Sequence, residues 1–251
     1  MPVIGVINQK GGVGKTTTAV NLSAALARLR NVLLIDLDPQ ANATSGLGLL
    51  PSTSVLDVLS GRSSARRAVL RARQRNLSVL AASAELAGAA IELDASADDM
   101  QLLAKALIGV RPSFEFIVLD APPSFGSLTL NALVAADQLI VPVQCEYYAL
   151  EGIAGMMDTI ERVRSSLNPS LNVLGLLLTM ADQRTNLSQQ VEANVRQHFG
   201  ALVFDVVVPR SVRLAEAPSH GLPIFEYAPG SAGAVAYEAL SEEVLRRVAE
   251  A

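Results

Sequence analysis

Apolar residues in this chain fall in short unbroken runs, separated by stretches with helical spacing. The runs are Val3-Ile4-Gly5-Val6-Ile7, Val32-Leu33-Leu34-Ile35, Leu77 to Ala81, Phe114 to Asp120, Leu139 to Val143, Val173 to Thr179 and the β-branched 203–208. A run apolar on both alternating faces predicts a strand covered on both sides, the signature of a parallel sheet. Helices are predicted from Thr18 to Leu29, around 84–93 and 98–109, over 149–167, from Thr185 to Phe199, and from about Ser231 to Ala249. Asn168-Pro169 and Gly200 stop two of them. Residues 41–53, rich in small and polar types, and Pro209 to Leu222 read as loops. Strands alternating with helices, with no internal repeat and no linker, predict one α/β domain over 1–251, a doubly wound, mostly parallel sheet with helices on both faces.

The turn after the first run is Lys10-Gly11-Gly12-Val13-Gly14-Lys15-Thr16-Thr17. A glycine-rich turn between a strand and a helix N-terminus cradles anions through backbone N–H groups and the helix dipole. Lys15 would reach terminal phosphates and the Thr16 hydroxyl would ligate Mg²⁺, the pattern of a P-loop. One departure stands out. The glycine expected five residues before the Gly-Lys pair is replaced by Gln9, and a second lysine, Lys10, opens the loop.

Two later strands end in acids. The run at 32–35 leads into Asp36-Leu37-Asp38-Pro39-Gln40, and the run at 114–119 leads into Asp120-Ala121-Pro122-Pro123-Ser124. Strand C-termini are where ligands bind in open α/β sheets. After a P-loop, an apolar strand ending in Asp places a carboxylate near the metal. Pro122-Pro123 would stiffen a loop able to sense the γ-phosphate.

Composition narrows the partners. With a net charge of −4, no global basic field recruits nucleic acid, so any such contact must be local. Of 20 basic residues 17 are Arg, and two of the three lysines lie in the glycine loop, where a compact ammonium is called for. Arg62 to Arg75 carries six arginines, readable as a solvated helix face or as a phosphate-contacting surface, while Glu92 to Asp99 nearby is acidic. One cysteine, Cys145, excludes a disulfide framework and a cluster held by two cysteines per chain, and suits a reducing cytoplasm. His198 and His220 lack metal-ligand spacing and read as structural. No run approaches a membrane span and no secretory signal is visible.

The set KGGVGKTT at 10–17, DLDPQ at 36–40, DAPPS at 120–124, QCEYYALEG at 144–152 and PRSVRLAEAPSHG at 209–221 resembles the ParA/Soj family of partition ATPases, over nearly the whole chain. Without an N-terminal extension the chain is similar to the short, chromosomal form. The resemblance implies a Mg²⁺-dependent ATPase that forms an ATP-dependent homodimer with two nucleotides between facing subunits. The expected nucleotide site comprises Lys10, Gly11, Gly12, Val13, Gly14, Lys15, Thr16 and Thr17, with Pro209 and Ser211 lining the adenine. Lys10 would reach the neighbour's ATP, delivering charge that makes hydrolysis conditional on pairing, as an arginine finger does.

Further roles follow from the same resemblance. Asp38 would position the attacking water, so that Lys10, Lys15 and Asp38 form the catalytic set. Thr16 and Asp120 would hold the metal, Asp120 through water. Asp36 would make structural hydrogen bonds. Arg184 and Arg213 would grip double-stranded DNA without reading bases, and dimerisation would switch that grip on. Alternatively, Arg213 braces its loop through Glu216. A ParB-like centromere-binding protein would stimulate hydrolysis, placing the chain in the cytoplasm on the nucleoid. Ser211 stands where the family commonly has asparagine, and Ala41 where glycine is frequent.

Three other readings compete with this one. A MinD-like membrane-cycling ATPase needs a Lys-rich, bulky amphipathic C-terminal helix, whereas 240–251 carries three glutamates and no aromatic residue. A metabolic ATP-dependent enzyme would need its own substrate pocket. A non-hydrolysing scaffold has no use for Asp38.

Overall fold

The computed structural model describes residues 1–88 and 100–250. Strands β1 (Val3–Val6), β2 (Val32–Asp36), β3 (Val69–Arg71), β4 (Leu77–Leu80), β5 (Phe116–Asp120), β6 (Gln138–Gln144), β7 (Asn172–Ala181) and β8 (Val203–Pro209) form an eight-stranded sheet ordered β3-β4-β2-β5-β1-β6-β7-β8. Neighbours are parallel except for the β3–β4 hairpin. The chain therefore winds outward one way from β1, returns through β5, and winds the other way. That reversal opens a crevice at the C-terminal ends of β1, β2 and β5.

Alternate strand residues feed two apolar layers. Val3, Leu33, Ile35, Ile117, Leu119, Leu139 and Val141 share one cluster. Helices α3 (Val55–Leu59), α5 (Leu102–Leu107), α6 (Ser127–Ala135), α7 (Ala149–Ser166) and α8 (Asn186–Phe199) cover that face. Ile4, Val6, Val32, Leu34, Val118 and Ile140 point the other way, against α1 (Lys15–Leu26) and α11 (Ala232–Glu250). The period-2 split of unbroken apolar runs is what a sheet covered on both faces requires.

The predicted strands and long helices are present, with shifts of a few residues at their ends. The 41–53 segment is not all loop: it holds the short helix α2 (Asn42–Gly46), tied down by Asp36. Pro209 to Leu222 likewise contains α9 (Val212–Glu216) and a 3₁₀ turn, with α10 (Ile224–Tyr227) close behind. The Arg62 to Arg75 run is not one helix face. It is a single helical turn, α4 (Ala65–Ala68), running straight into the edge strand β3. Residues 86–88 are helical where a helix is expected around 84–93; the rest of that helix, the first two residues of the one at 98–109, and Glu92 to Asp99 lie outside the described residues.

The terminal helix packs as its composition suggested. Tyr237, Leu240 and Val244 are buried, and the buried Tyr237 hydroxyl lies 3.1 Å from Thr18 Oγ1 on α1. Two charges that look like surface residues in sequence are also used inside. Glu243 accepts the backbone N–H groups of Asp205 and Val206 at 3.0 and 3.1 Å, capping part of the free edge of β8. Arg247 bonds Glu243 and the carbonyls of Leu174, Ala201 and Val203, and lies over the Phe204 ring. Among the described residues no helix is long and apolar enough to cross a membrane.

Candidate nucleotide site

The glycine loop joins β1 to α1 at the crevice. Gly12 and Gly14 have φ of +74° and +87°, left-handed conformations that an L side chain adopts only with strain. Two distant strands hold the loop in place. Thr179 on β7 donates to the Val13 carbonyl at 2.9 Å, and Asn8 Nδ2 donates to the Pro142 carbonyl at 2.7 Å while its Oδ1 accepts from Lys10 N.

The loop's two lysines differ sharply. Lys15 is 7% exposed and its Nζ donates to the Lys10 carbonyl at 2.9 Å. Burial pulls its pKa below the usual lysine range, against the opposing pull of Asp120 and Asp38. The Lys10 side chain is half exposed, and its Nζ lies 3.2 Å from Glu146 Oε2 at the end of β6. Gln144 Nε2 in turn donates to the other Glu146 oxygen at 2.6 Å.

The strand-end acids converge here as well. Asp36 and Asp120 face each other in register on adjacent strands, and Asp120 is also paired with Val6 at the end of β1. Asp36 is fully committed: Oδ2 accepts from Thr44 N and Oγ1, and Oδ1 accepts from Asp38 N. Burial raises its pKa to about 6 in spite of those bonds. Asp120 is the reverse case. It is completely buried, and among the described residues neither carboxylate oxygen has a hydrogen-bond partner of normal geometry. Burial first, then the neighbouring Asp36, pushes its pKa well above the carboxylate range, partly offset by Thr16 and Lys15. An orphaned buried carboxylate is expensive. With Thr16 beside it, the pair suits a hydrated divalent cation, which would supply the missing partner. Asp38 is 7% exposed, and its Oδ1 accepts from Gln40 N at 2.9 Å.

Next to the loop, a cavity of about 190 Å³ is lined by Gly14, Thr17, Met180, Pro209, Ser211 and Leu214, among others. Its size and largely apolar walls suit a flat heterocycle. It brings the predicted Pro209 and Ser211 to the P-loop across almost the whole chain. A larger cavity of about 790 Å³ opens at the opposite, N-terminal ends of β6, β7 and β8. Two of its arginines, Arg196 and Arg247, are already bonded to backbone carbonyls.

The model of the AAA domain family matches residues 1–173. The chain is 53% identical over 249 residues to the chromosome-partitioning ATPase Soj of Thermus thermophilus, covering 99% of this chain and 97% of the relative. It is 47% identical over 251 residues to the chromosome partitioning protein ParA of Caulobacter vibrioides, covering 98% and 94%. The chain belongs to the Soj/ParA family. A protein solved as cobyrinic acid a,c-diamide synthase from Mycobacterium smegmatis, with bound ADP and magnesium, superposes with a TM-score of 0.87 at 37% identity, covering 99% of this chain and 96% of that one. Its lower identity leaves the assignment with Soj/ParA.

As a Soj/ParA chain, the molecule gathers Lys10, Lys15, Thr16, Asp38 and Asp120 around one crevice, with Pro209 and Ser211 at its side. Arg184 and Arg213 sit apart from it, beyond the ends of β7 and β8. Both are exposed and both already have carboxylate partners. Arg184 forms a two-pronged pair with Asp182, at 2.8 Å to each oxygen, which holds that acid down to about 2. Arg213 lies 3.0 Å from Glu216, which also accepts from the Tyr227 hydroxyl at 2.9 Å. The bracing contact expected of Arg213 is therefore present.

Ala41 matters more than its sequence position suggested. Its φ is +52°, so a glycine there would avoid roughly 1–2 kcal/mol of strain. Two contributors were invisible as such in sequence. Glu146 belongs to QCEYYALEG, a stretch that carries no sign of the tie to Lys10. Thr179 contacts Val13 across 166 residues, with no local signal at all.

Proposed function

We propose that the chain is a Mg²⁺-dependent ATPase of chromosome or plasmid partition, acting as one unit over 1–251, whose ATP-bound dimer holds DNA nonspecifically. The observation that carries this reading is the contrast between the loop's lysines. One is buried against its own loop, and the other is exposed at the crevice rim where a second subunit would dock.

Lys15, with the backbone of Gly11 to Gly14 and Thr17, would bind the chain's own triphosphate, displacing the Lys10 carbonyl that its Nζ now contacts. Thr16 and, through water, Asp120 would hold Mg²⁺. When bound, the ion would neutralise charge developing on the transferred phosphoryl group. Asp38, at the strand end next to this position, would orient the attacking water and accept its proton. Lys10 would leave Glu146 and reach the neighbour's nucleotide, so turnover would require pairing. Pro209 and Ser211 would line the adenine.

Pairing also doubles the number of exposed guanidinium groups from Arg184 and Arg213 on one assembly, and such a grip is salt-sensitive and blind to sequence. Hydrolysis, stimulated by a ParB-like centromere-binding protein, would separate the subunits and release DNA. The chain would work in the cytoplasm, associated with the nucleoid.

The test is a titration of duplex DNA with ATP, ADP and no nucleotide, for wild type and Arg213→Ala. Tight binding with ATP alone, weakened in the variant, is expected. Equal affinity in all three states would sink the switch, and binding to liposomes without binding to DNA would favour a membrane-cycling ATPase.

A further inference from the structure

We infer a second phosphate-binding surface, on α4 and the β3–β4 hairpin at the sheet edge opposite β8, formed by Arg66, Arg67, Arg71 and Arg75 and fitted to a nucleic-acid backbone. The inference rests on the DNA-binding reading above and extends it to residues with no part in the nucleotide site.

Residues 62–75 contain six arginines and no acid, and all six are exposed. Arg62 pairs with Asp57 at 3.0 Å and Arg73 with Glu226 at 3.5 Å. Among the described residues the other four have no carboxylate within ion-pair distance. Arg184 and Arg213, by contrast, must each give up or share an acid to take a phosphate.

The hairpin is also held rigid. Gln74 donates to the Ala24 carbonyl and Asn76 Nδ2 to the Ala27 carbonyl at 3.2 Å, pinning the turn to the C-terminal end of α1. Asn76 itself adopts the left-handed conformation, with φ of +64°. Arg71, Arg73 and Arg75 are exposed while Ala72 and Gln74 between them are partly buried, so the guanidinium groups point away from the body. Beneath them lies a cleft of about 630 Å³ whose walls include Arg71, Arg75, Asn31, Asn76, Ser78 and Ser113. Glu115, the acid nearest in sequence to that wall, is taken up by Arg30 and the Asn31 N–H. A concave surface with two free guanidinium groups and neutral hydrogen-bonding side chains suits a phosphodiester.

A competing use of the same charge is to keep another chain from pairing with the free edge of β3. The two uses differ in salt response. Each phosphate contact contributes about 0.9 to the slope of log affinity against log salt. In the presence of ATP, replacing all four arginines by alanine should reduce that slope by about 3 to 4 for each subunit that contacts the DNA, and the Arg→Lys quadruple variant should stay within about 1 of wild type. Because this surface needs no partner subunit, the alanine variant should also lose the weak binding that remains with ADP. A control removing three arginines elsewhere, Arg162, Arg164 and Arg246, should leave the slope in place.

ATP-dependent binding with the same slope in wild type and the alanine variant would overturn this surface alone. Wild type that binds no DNA in any state would overturn the parent reading with it. Should the alanine variant not fold, protection from an arginine-modifying dicarbonyl decides on wild type. Duplex DNA is expected to shield Arg66, Arg67, Arg71 and Arg75, and unchanged modification would refute the proposal.

Discussion

Lys10 Nζ lies 3.2 Å from Glu146 Oε2, a contact that joins the opening of the glycine loop to the end of β6 across 136 residues of sequence. Both side chains are about half exposed, so the pair contributes at most about 1 kcal/mol to stability. Lys10→Ala should therefore shift the unfolding free energy by less than about 1 kcal/mol. If Lys10 supplies charge to a neighbour's ATP, the same change should lower turnover about 10³-fold, as loss of an arginine finger does. Denaturant melts and steady-state phosphate release separate the two roles. A large loss of stability with turnover intact would make Lys10 a structural residue.

Asp38 offers a cleaner division between binding and chemistry. Its side chain accepts one local hydrogen bond, from Gln40 N, and among the described residues no hydrogen bond ties that side chain to the glycine loop. Asp38→Ala should keep ATP binding and ATP-dependent pairing, measured by light scattering, and lose turnover by about 10²- to 10⁴-fold. Unchanged turnover would remove Asp38 from the reaction.

The buried pair at the ends of β2 and β5 predicts a pH effect. A raised carboxyl pKa means the folded chain keeps protons that the unfolded chain releases near pH 4. The stability linked to those protons is full below about pH 4 and is lost as pH rises through about 6, where Asp36 titrates, and beyond for Asp120. Nucleotide-free Asp120→Asn should thus be more stable than wild type at pH 7.5 by about 1–2 kcal/mol, with the advantage shrinking toward pH 4. Denaturant midpoints across that range test the sign. An advantage that grows as pH falls would contradict it.

Packing should reach the adenine cavity through Gly233. A Cβ added there would meet Leu214 Cγ at 2.7 Å, and Leu214 lines the cavity and neighbours Arg213. Gly233→Ala should push α9 outward and cost about 1–3 kcal/mol in stability. Nucleotide affinity should fall with it, about tenfold or more, which isothermal titration can read. Normal affinity would show that α9 tolerates the shift.

What the sequence reveals here divides along physical lines. Unbroken apolar runs gave the sheet because a strand covered on both faces cannot hide polar residues. The glycine loop and the strand-end aspartates were legible because phosphate and metal chemistry constrain local spacing. Short helices such as α2 and α9 escaped because α2 is built of small polar residues and α9 is five residues set between the loop-like Pro209 to Ser211 and Pro218 to Gly221, while Asp36 ties down the one and Leu214 packs the other against Gly233. The Arg62 to Arg75 run looked helical because charge hides period. Its arginines at 71, 73 and 75 alternate, yet no apolar face marks the strand. The tie of Lys10 to Glu146 and of Thr179 to the loop had no local signature, because folding alone brings them together.

The central claim is that the loop at 10–17 is half of a shared site, and mixing two inactive chains tests it most directly. Lys10→Ala keeps its own Asp38, and Asp38→Ala keeps a lysine to lend. If Lys10 acts on the neighbour, each mixed dimer has one complete site. An equimolar mixture with DNA and ATP should then recover roughly a quarter of wild-type turnover, since half the dimers are mixed and half their sites are whole. If Lys10 serves its own nucleotide, no site in the mixture is complete, and turnover at the level of the separate variants would contradict the account.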